Sequence, residues 1–160
     1  MLHIEVICVG KLKEAYLKDA ITEYSKRLSK YCSLNIIELP DEKLPTPLSE
    51  ADKKKIIEKE SYNILNHIKE NSYVIALDLK GKQYTSEEFS DKLSQIALHE
   101  NSTITFLIGG TLGMSQELLN HANELVCFSK MTFPHQLIRV FLLEQLFRSF
   151  KIQNNETYHR

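Results

Sequence analysis

The residues of this sequence that can do chemistry fall into three stretches. The first is the Gly-rich run IGGTLGMS, Ile108 to Ser115, which follows an apolar segment and precedes a helical pattern from Gln116 to Asn123. Gly109 and Gly110 carry no Cβ, so a ligand can approach the backbone closely there. A plain strand-to-helix turn needing positive φ angles explains the same glycines. The second stretch, FSKMTFPHQ, sets a polar loop, Ser129 to Thr132, between the apolar run Leu125 to Phe128 and a long apolar helix beginning at Pro134. Within that helix Arg139, Glu144 and Arg148 are charges in an apolar context, and an unpaired charge is costly to bury. Glu144 and Arg148 have the spacing of a pair along one helix face. His135 and Arg139 share a face near the helix N-terminus, where the backbone dipole favours an anion. The third stretch is the tail ETYHR. Tyr158, His159 and Arg160 are residue types that stack on bases or contact phosphates, although a chain end frays by default.

Other chemistries lack their spacing. The histidines, His3, His67, His99, His121, His135 and His159, stand at no ligand spacing with Cys or carboxylates, so no metal site is expected. There is no GxSxG elbow for a Ser-His-Asp hydrolase. The Gly-rich run is neither GxGxxG nor a phosphate loop, and GKQYTS at Gly81 lacks that loop's upstream glycine. A dinucleotide fingerprint belongs in the first strand-turn-helix unit, whereas Gly109 lies two thirds of the way along, which counts against a nicotinamide enzyme.

The elements that must position these stretches are legible as periodicity. Five apolar runs, His3 to Val9, Leu34 to Leu39, Tyr73 to Leu79, Thr103 to Ile108 and Leu125 to Phe128, read as strands. Most are continuous rather than alternating, as in a parallel sheet covered by helices on both faces. Between them Leu17, Ala20, Ile21, Tyr24 and Leu28 recur at helical spacing, as do Ile57, Ile64, Leu65 and Ile68, and then Phe89, Leu93, Ile96 and Ala97. The result is an α/β fold, a mainly parallel sheet flanked by helices. PDEKLPTPL, residues 40 to 48, with its three prolines, reads as a surface connection. The charge-dense stretch Ser49 to Glu70 mixes both signs and reads as a solvated helix face. LDLKGK, Leu77 to Lys82, closes the third strand in a turn. Ligands sit outside the carboxyl ends of parallel strands, so the ends at Leu77, Gly109 and Phe128 form one pocket if those strands are neighbours.

The bulk numbers bound the partners. With 160 residues, 42% of them hydrophobic and 26% charged, the chain has the size of a single domain spanning 1–160. A net charge of −1 leaves nucleic-acid contact to a local basic patch. Cys8, Cys32 and Cys127 lie far apart without a CxxC pair, which fits a reducing cytoplasm. No apolar run approaches the ~18 residues of a membrane span. From Leu137 to Phe150, nine of fourteen residues are Leu, Ile, Val or Phe, too many for one stripe. A helix of that kind in so small a chain is economically buried against a second copy, a homodimer.

VGKLKE (Val9 to Glu14), IGG (Ile108 to Gly110), FSKMTFPHQLIRVFLLEQLFR (Phe128 to Arg148) and a terminal YHR, in this order and spacing, resemble the SPOUT, or α/β-knot, methyltransferases that act on ribosomal RNA. The resemblance spans the whole chain. It implies a C-terminal trefoil knot, a rare exception to ordinary topology that no periodicity suggests. It also implies a homodimer that uses S-adenosylmethionine as cofactor. Matched residue by residue, the cofactor site falls on Leu77, Gly109 and the run Phe128, Ser129, Lys130, Met131, Thr132 and Phe133.

The reaction so implied is methyl transfer to N3 of a pseudouridine in a stem-loop of the large-subunit rRNA, with the assembled ribosome as substrate. The imide must lose its proton and lie in line with the methyl carbon. For that reaction Glu144 is the expected proton acceptor or base-positioning group, on the condition that it lines the pocket. Arg139 is expected to steady the imide anion or hold a phosphate. His135, Tyr158, His159 and Arg160 are expected to bind substrate, the tail being supplied by the opposite subunit in one arrangement. Two other readings stand beside this one. A non-catalytic RNA- or ribosome-binding module would use Lys11, Lys13, Lys18 and the tail, and a nucleotide-dependent oxidoreductase lacks its fingerprint.

Overall fold

The computed structural model describes residues 1–99 and 102–159, and in it strands and helices alternate along the chain. They run β1 (Leu2–Val9), α1 (Ala15–Leu28), β2 (Cys32–Leu39), α2 (Glu50–His67), β3 (Tyr73–Lys82), α3 (Ser86–His99), β4 (Thr103–Ile108), α4 (Gln116–His121), β5 (Glu124–Val126) and α5 (His135–Gln153). The strands form one sheet in the order β2-β1-β4-β3-β5, and each neighbouring pair is parallel. The α/β fold with a parallel sheet is thus as the continuous apolar runs predict.

The continuity of those runs has a direct cause. Along β1, Ile4, Val6 and Cys8 enter the core under α1, α3 and α5, while Ile7 and Val9 enter a second core with Ile64 of α2 and Leu118 of α4. From Ile4 onward both faces of β1 are buried, so its residues are apolar except Glu5, whose carboxylate is paired with Asn35 and Lys69. All three cysteines are free and buried. Burial pushes the Cys8 and Cys32 thiols up to about 11, which keeps them protonated and unreactive.

Several boundaries differ from expectation for local reasons. β3 does not end in a turn after Leu79 but continues to Lys82, with an irregularity at which Val126 is in register with both Leu77 and Lys82. The backbone between Leu77 and Lys82 therefore bows around the end of β5, and Cys127 N–H donates to the Lys82 carbonyl at 2.9 Å. β5 is correspondingly short and stops before Phe128. α4 ends at His121 because Asn123 joins the sheet, donating its N–H to the Val74 carbonyl at 2.8 Å and accepting from Val74 N–H through Oδ1 at 2.7 Å. Residues 40 to 48 carry no helix or strand, and α2 begins beyond them with a reciprocal Ser49–Asp52 capping box.

α5 follows the long apolar stretch. It buries Leu142, Leu143, Leu146, Phe147 and Phe150 against α1 and α3, while Leu137, Ile138, Val140 and Phe141 near its start stay half-buried. One chain therefore covers only part of the apolar surface this helix carries.

Candidate active site

Because β4, β3 and β5 are consecutive in the sheet, their carboxyl ends open side by side. A cleft of about 1890 Å³ lies there, lined among others by Leu77, Ile108, Gly109, Gly110, Val126 and Phe133. Small-molecule pockets occupy roughly 300–1,000 Å³. This one has room for a ligand of that size and for part of a second molecule.

The turn after β4 is built by its glycines. A Cβ on Gly109 would stand 2.8 Å from Met114 Cγ and 3.1 Å from the Gly113 carbonyl carbon, and Gly113 itself has φ +89. The turn closes through Gly113 N–H to the Gly110 carbonyl at 3.0 Å. Ser115 then caps α4, accepting from Leu118 N–H at 3.1 Å, while its own N–H donates to Ser61 Oγ of α2 at 2.8 Å. Glu60, the residue before, is only 5% exposed, takes the Glu42 N–H at 2.9 Å, and sets Oε1 2.9 Å from where a Gly110 Cβ would be. Burial raises the proton affinity of this carboxyl above the usual range.

The opposite wall is the loop after β5. Phe128 anchors it in the core, with its ring edge-on to Phe89 at 6.3 Å. The Ser129 hydroxyl accepts from Met131 N–H at 3.1 Å, and Phe133 packs edge-on against Phe141 of α5 at 5.5 Å. Leu77, Gly109, Phe128, Ser129, Met131, Thr132 and Phe133 all line the cleft, so most of the expected cofactor residues are brought together. Lys130 lies on the same loop, is exposed, and is not among the lining residues.

His135 also lines the cleft. Its Nδ1 is buried without a hydrogen-bond partner. Burial first, and the positive charge of Arg139 second, lower its proton affinity, with Asp41 in partial opposition, so the ring is neutral near pH 7.

Arg139 and Glu144 are placed elsewhere. Arg139 is 2% exposed and faces away from the cleft, its Nη1 donating to Glu38 Oε2 at 2.8 Å and its Nη2 to the carbonyls of Val9 at 2.9 Å and Gly10 at 2.7 Å. Both terminal nitrogens are used in tying α5 to the end of β1, and Nε is buried without a partner, so within one chain the guanidinium does not line the cleft where an imide anion or a phosphate would sit. Glu144 does not line the cleft either. It accepts from Arg148 Nη2 at 2.9 Å, as its spacing predicts, and from the Tyr158 hydroxyl at 2.7 Å. The condition attached to its role as proton acceptor is unmet within one chain. Tyr158 and His159 gather around Glu144 and Arg148, and Arg160 lies outside the described residues.

Sequence reasoning missed the α2 wall. Ile57, Ser61 and Leu65 line the cleft beside Lys53 and Lys59, so the stretch read as a solvated face also forms a binding wall. The signal was present as their i, i+4 spacing, hidden by the charges between them. Among the described residues, no group of His, Cys, Asp and Glu is arranged to hold a metal, and no helix is long and apolar enough to cross a membrane.

A parallel sheet with helices on both faces, a glycine turn after β4 and a lined cleft above adjacent strand ends define an α/β protein with a ligand-sized cleft at its strand ends. Residues 2–159 match the family described as "Predicted SPOUT methyltransferase". The chain is 59% identical over 159 residues to "Ribosomal RNA large subunit methyltransferase H 1" of Clostridium perfringens, covering 99% of this chain and 100% of that protein. It is 60% identical over the same span to the methyltransferase H of Clostridium botulinum, with the same coverage. A solved structure, a probable methylase family protein from Haemophilus influenzae, superposes with a TM-score of 0.54 at 12% identity, over 98% of this chain and 70% of that one, and so shares the fold. The chain belongs to the SPOUT methyltransferases and, within them, to the family of ribosomal RNA large subunit methyltransferase H.

Proposed function

We propose that this chain, acting as one domain, transfers a methyl group from S-adenosylmethionine to N3 of a pseudouridine in a stem-loop of the large-subunit rRNA, in the assembled ribosome and in the cytoplasm. The observation that carries the reading is the meeting of Leu77, Gly109, Phe128, Ser129, Met131, Thr132 and Phe133 on one cleft. The relatives' printed names add the rRNA target. The residues fit the cofactor: the glycine turn packs so tightly that a Gly109 Cβ would meet Met114 and Gly113, and this brings the backbone of Gly109, Gly110 and Gly113 to the cleft beside its apolar walls.

Leu77, Gly109, Ser129, Met131, Thr132 and Phe133 would hold the cofactor, with Phe128 fixing the loop and Lys130 at its exposed edge. Bound there, S-adenosylmethionine supplies a methyl group on a sulfonium centre. The protein's own work is placement of the uracil-like base and removal of its N3 proton. His135 would contact the base at the edge of the cleft, its neutral ring offering one donor and one acceptor. Arg139 acts through His135 by holding α5 at the end of β1 and by adding to the effect of burial, which keeps the imidazole uncharged. Tyr158, His159 and Arg160 bind the ribosome.

The half-buried Leu137, Val140 and Phe141 support a homodimer, because a second copy would cover the apolar surface that one chain leaves open. The bow of residues 77 to 82 around β5, just before the chain turns into α5, supports a knotted C-terminal segment. The deciding experiment incubates the protein and S-adenosylmethionine with ribosomes from a strain lacking it, then maps the modified base. Methylation at a pseudouridine N3 is expected. Modification of another nucleotide removes the substrate assignment, and absence of any heat on titration with S-adenosylmethionine favours a non-catalytic binder.

A further inference from the structure

The C-terminal segment is the one substrate-side element of this reading that stands clear of the cleft lining, and it is not a frayed end. Its side chains turn back onto α5 and α3. Tyr158 donates its hydroxyl proton to Glu144 Oε2 at 2.7 Å, and burial together with that carboxylate pushes the phenol up to about 12, so it remains a donor. Its ring packs edge-on against Phe147 at 5.0 Å, and the Arg148 guanidinium lies over it at 4.7 Å. Two residues earlier, Glu156 accepts from Tyr31 at 2.8 Å and from Lys151 at 2.9 Å.

The geometry at His159 is chemically decisive. Arg148 uses Nε and Nη2 on the two oxygens of Glu144, at 3.2 and 2.9 Å, and points Nη1 at His159 Nδ1 at 3.0 Å. A guanidinium has donors only, so Nδ1 must be the unprotonated, accepting nitrogen. The remaining ring proton then sits on Nε2, which faces the Glu87 carboxylate of α3. The chain Glu144–Arg148–His159–Glu87 alternates acceptor and donor at every step and leaves His159 one tautomer.

We infer that Glu144, Arg148 and Glu87 are positioning residues that hold the tail in one presentation, with Tyr158 on the Glu144 carboxylate and His159 locked as the Nε2–H tautomer between Arg148 and Glu87. The inference rests on the reading of the tail as a ribosome-contacting element. It replaces proton transfer by Glu144 with a different task, because among the described residues the donors to Glu144 come from its own helix and from the tail. A tail ordered before the ribosome arrives loses less conformational freedom on binding. Each exposed contact is weak alone, since the Glu87 side chain is 60% exposed, but Glu144 at 18% and Arg148 at 25% form a sheltered hub through which the others act.

The test compares wild-type protein, Glu144→Gln, deletion of Tyr158 to Arg160, and the two combined, with Arg148→Lys as a variant that keeps the charge but not the fork. Two-bond proton–nitrogen NMR on labelled full-length protein reads the His159 tautomer. Kinetics on ribosomes lacking the modification read KM and kcat, and calorimetry reads S-adenosylmethionine affinity. In the wild type His159 is expected as Nε2–H, and Glu144→Gln and Arg148→Lys should turn it into a mobile tautomer mixture. Glu144→Gln is expected to raise KM about tenfold, the scale of a lost hydrogen bond to a charged group, with kcat and cofactor affinity nearly unchanged. Combined with the deletion it should add nothing, because both remove the same interaction.

An unchanged His159 tautomer in Glu144→Gln overturns the proposal whatever the activity. So does a loss of kcat at saturating ribosome, or full additivity with the deletion, either of which gives Glu144 a role of its own. If the deletion leaves ribosome methylation intact while Glu144→Gln frees the tail, the reading of the tail as substrate-binding fails and the lock itself stands.

Discussion

The Cα of Gly81 lies against the peptide joining Leu125 to Val126: a Cβ built on Gly81 would stand 2.5 Å from the Val126 carbonyl carbon and 2.6 Å from its nitrogen. Both neighbours are backbone, so neither can swing away. Gly81→Ala should cost about 1–3 kcal/mol of stability by overpacking. Because the displaced residues include Val126, a cleft wall, S-adenosylmethionine affinity should fall by more than the stability loss accounts for, about tenfold for each 1.4 kcal/mol. Thermal unfolding and calorimetric titration measure the two effects separately. A variant with unaltered affinity would show that the crossing does not shape the cleft.

The glycines after β4 should separate from each other. A Cβ at Gly109 meets the flexible Met114 side chain first, whereas Gly113 has open space but φ +89. Gly113→Ala should therefore lose about 1–2 kcal/mol through the left-handed backbone, with Gly113→Asn recovering part. Gly109→Ala should lose less stability than Gly113→Ala, because Met114 can swing aside and the Gly113 backbone, at 3.1 and 3.3 Å, must give only slightly, while the shift of this cleft-lining turn should weaken cofactor binding. Urea unfolding beside titration tests the contrast, and equal stability losses for the two alanines would contradict it.

Arg139 should behave as a structural clamp. Arg139→Met strands the Val9 and Gly10 carbonyls and leaves Glu38 with only the Leu12 N–H, at a cost of about 3 kcal/mol, the low end for breaking a buried pair because Glu38 is 34% exposed. Arg139→Lys keeps the charge but cannot reach all three acceptors, and should recover less than half. The urea midpoint reports both. A cost under about 1 kcal/mol for Arg139→Met would mean the clamp is not what holds α5 to β1.

Glu60 sets the sign of a pH effect. Burial raises its carboxyl above the usual range in the folded chain, so between the ordinary value and the raised one the folded state binds more protons than the unfolded. Stability from this group is therefore present below the ordinary carboxylate range and lost as pH rises through the raised value. Glu60→Gln keeps an acceptor for the Glu42 N–H and has no charge to bury. The variant should melt higher than the wild type at pH 7.5, and the gain should vanish toward pH ~4. A melting point lower than wild type at pH 7.5 would show that the carboxylate is stabilised by something other than the Glu42 amide.

What the sequence determined by itself about this protein is the layer pattern and the segments of the cleft. The largely apolar run His3 to Val9 reads as a strand covered on both faces, and IGG with FSKMTF stand out as a glycine turn and a polar loop in apolar company. Short-range patterns of this kind are written in adjacent residues. Direction and distance between segments are not. Only the tertiary structure decided that Arg139 turns to the end of β1 rather than the cleft, that Glu144 serves the tail, that α2 supplies the missing wall, and that residues 77 to 82 bow around Val126. His135 and Arg139, four residues apart, share one side of the helix but sit about a turn apart along it, so His135 reaches the cleft while Arg139 reaches the carbonyls at the end of β1. The partners that settle their roles lie at separations of 14 to 130 residues, from Tyr158 on Glu144 to the Val9 carbonyl on Arg139, and no periodicity reaches across such a gap.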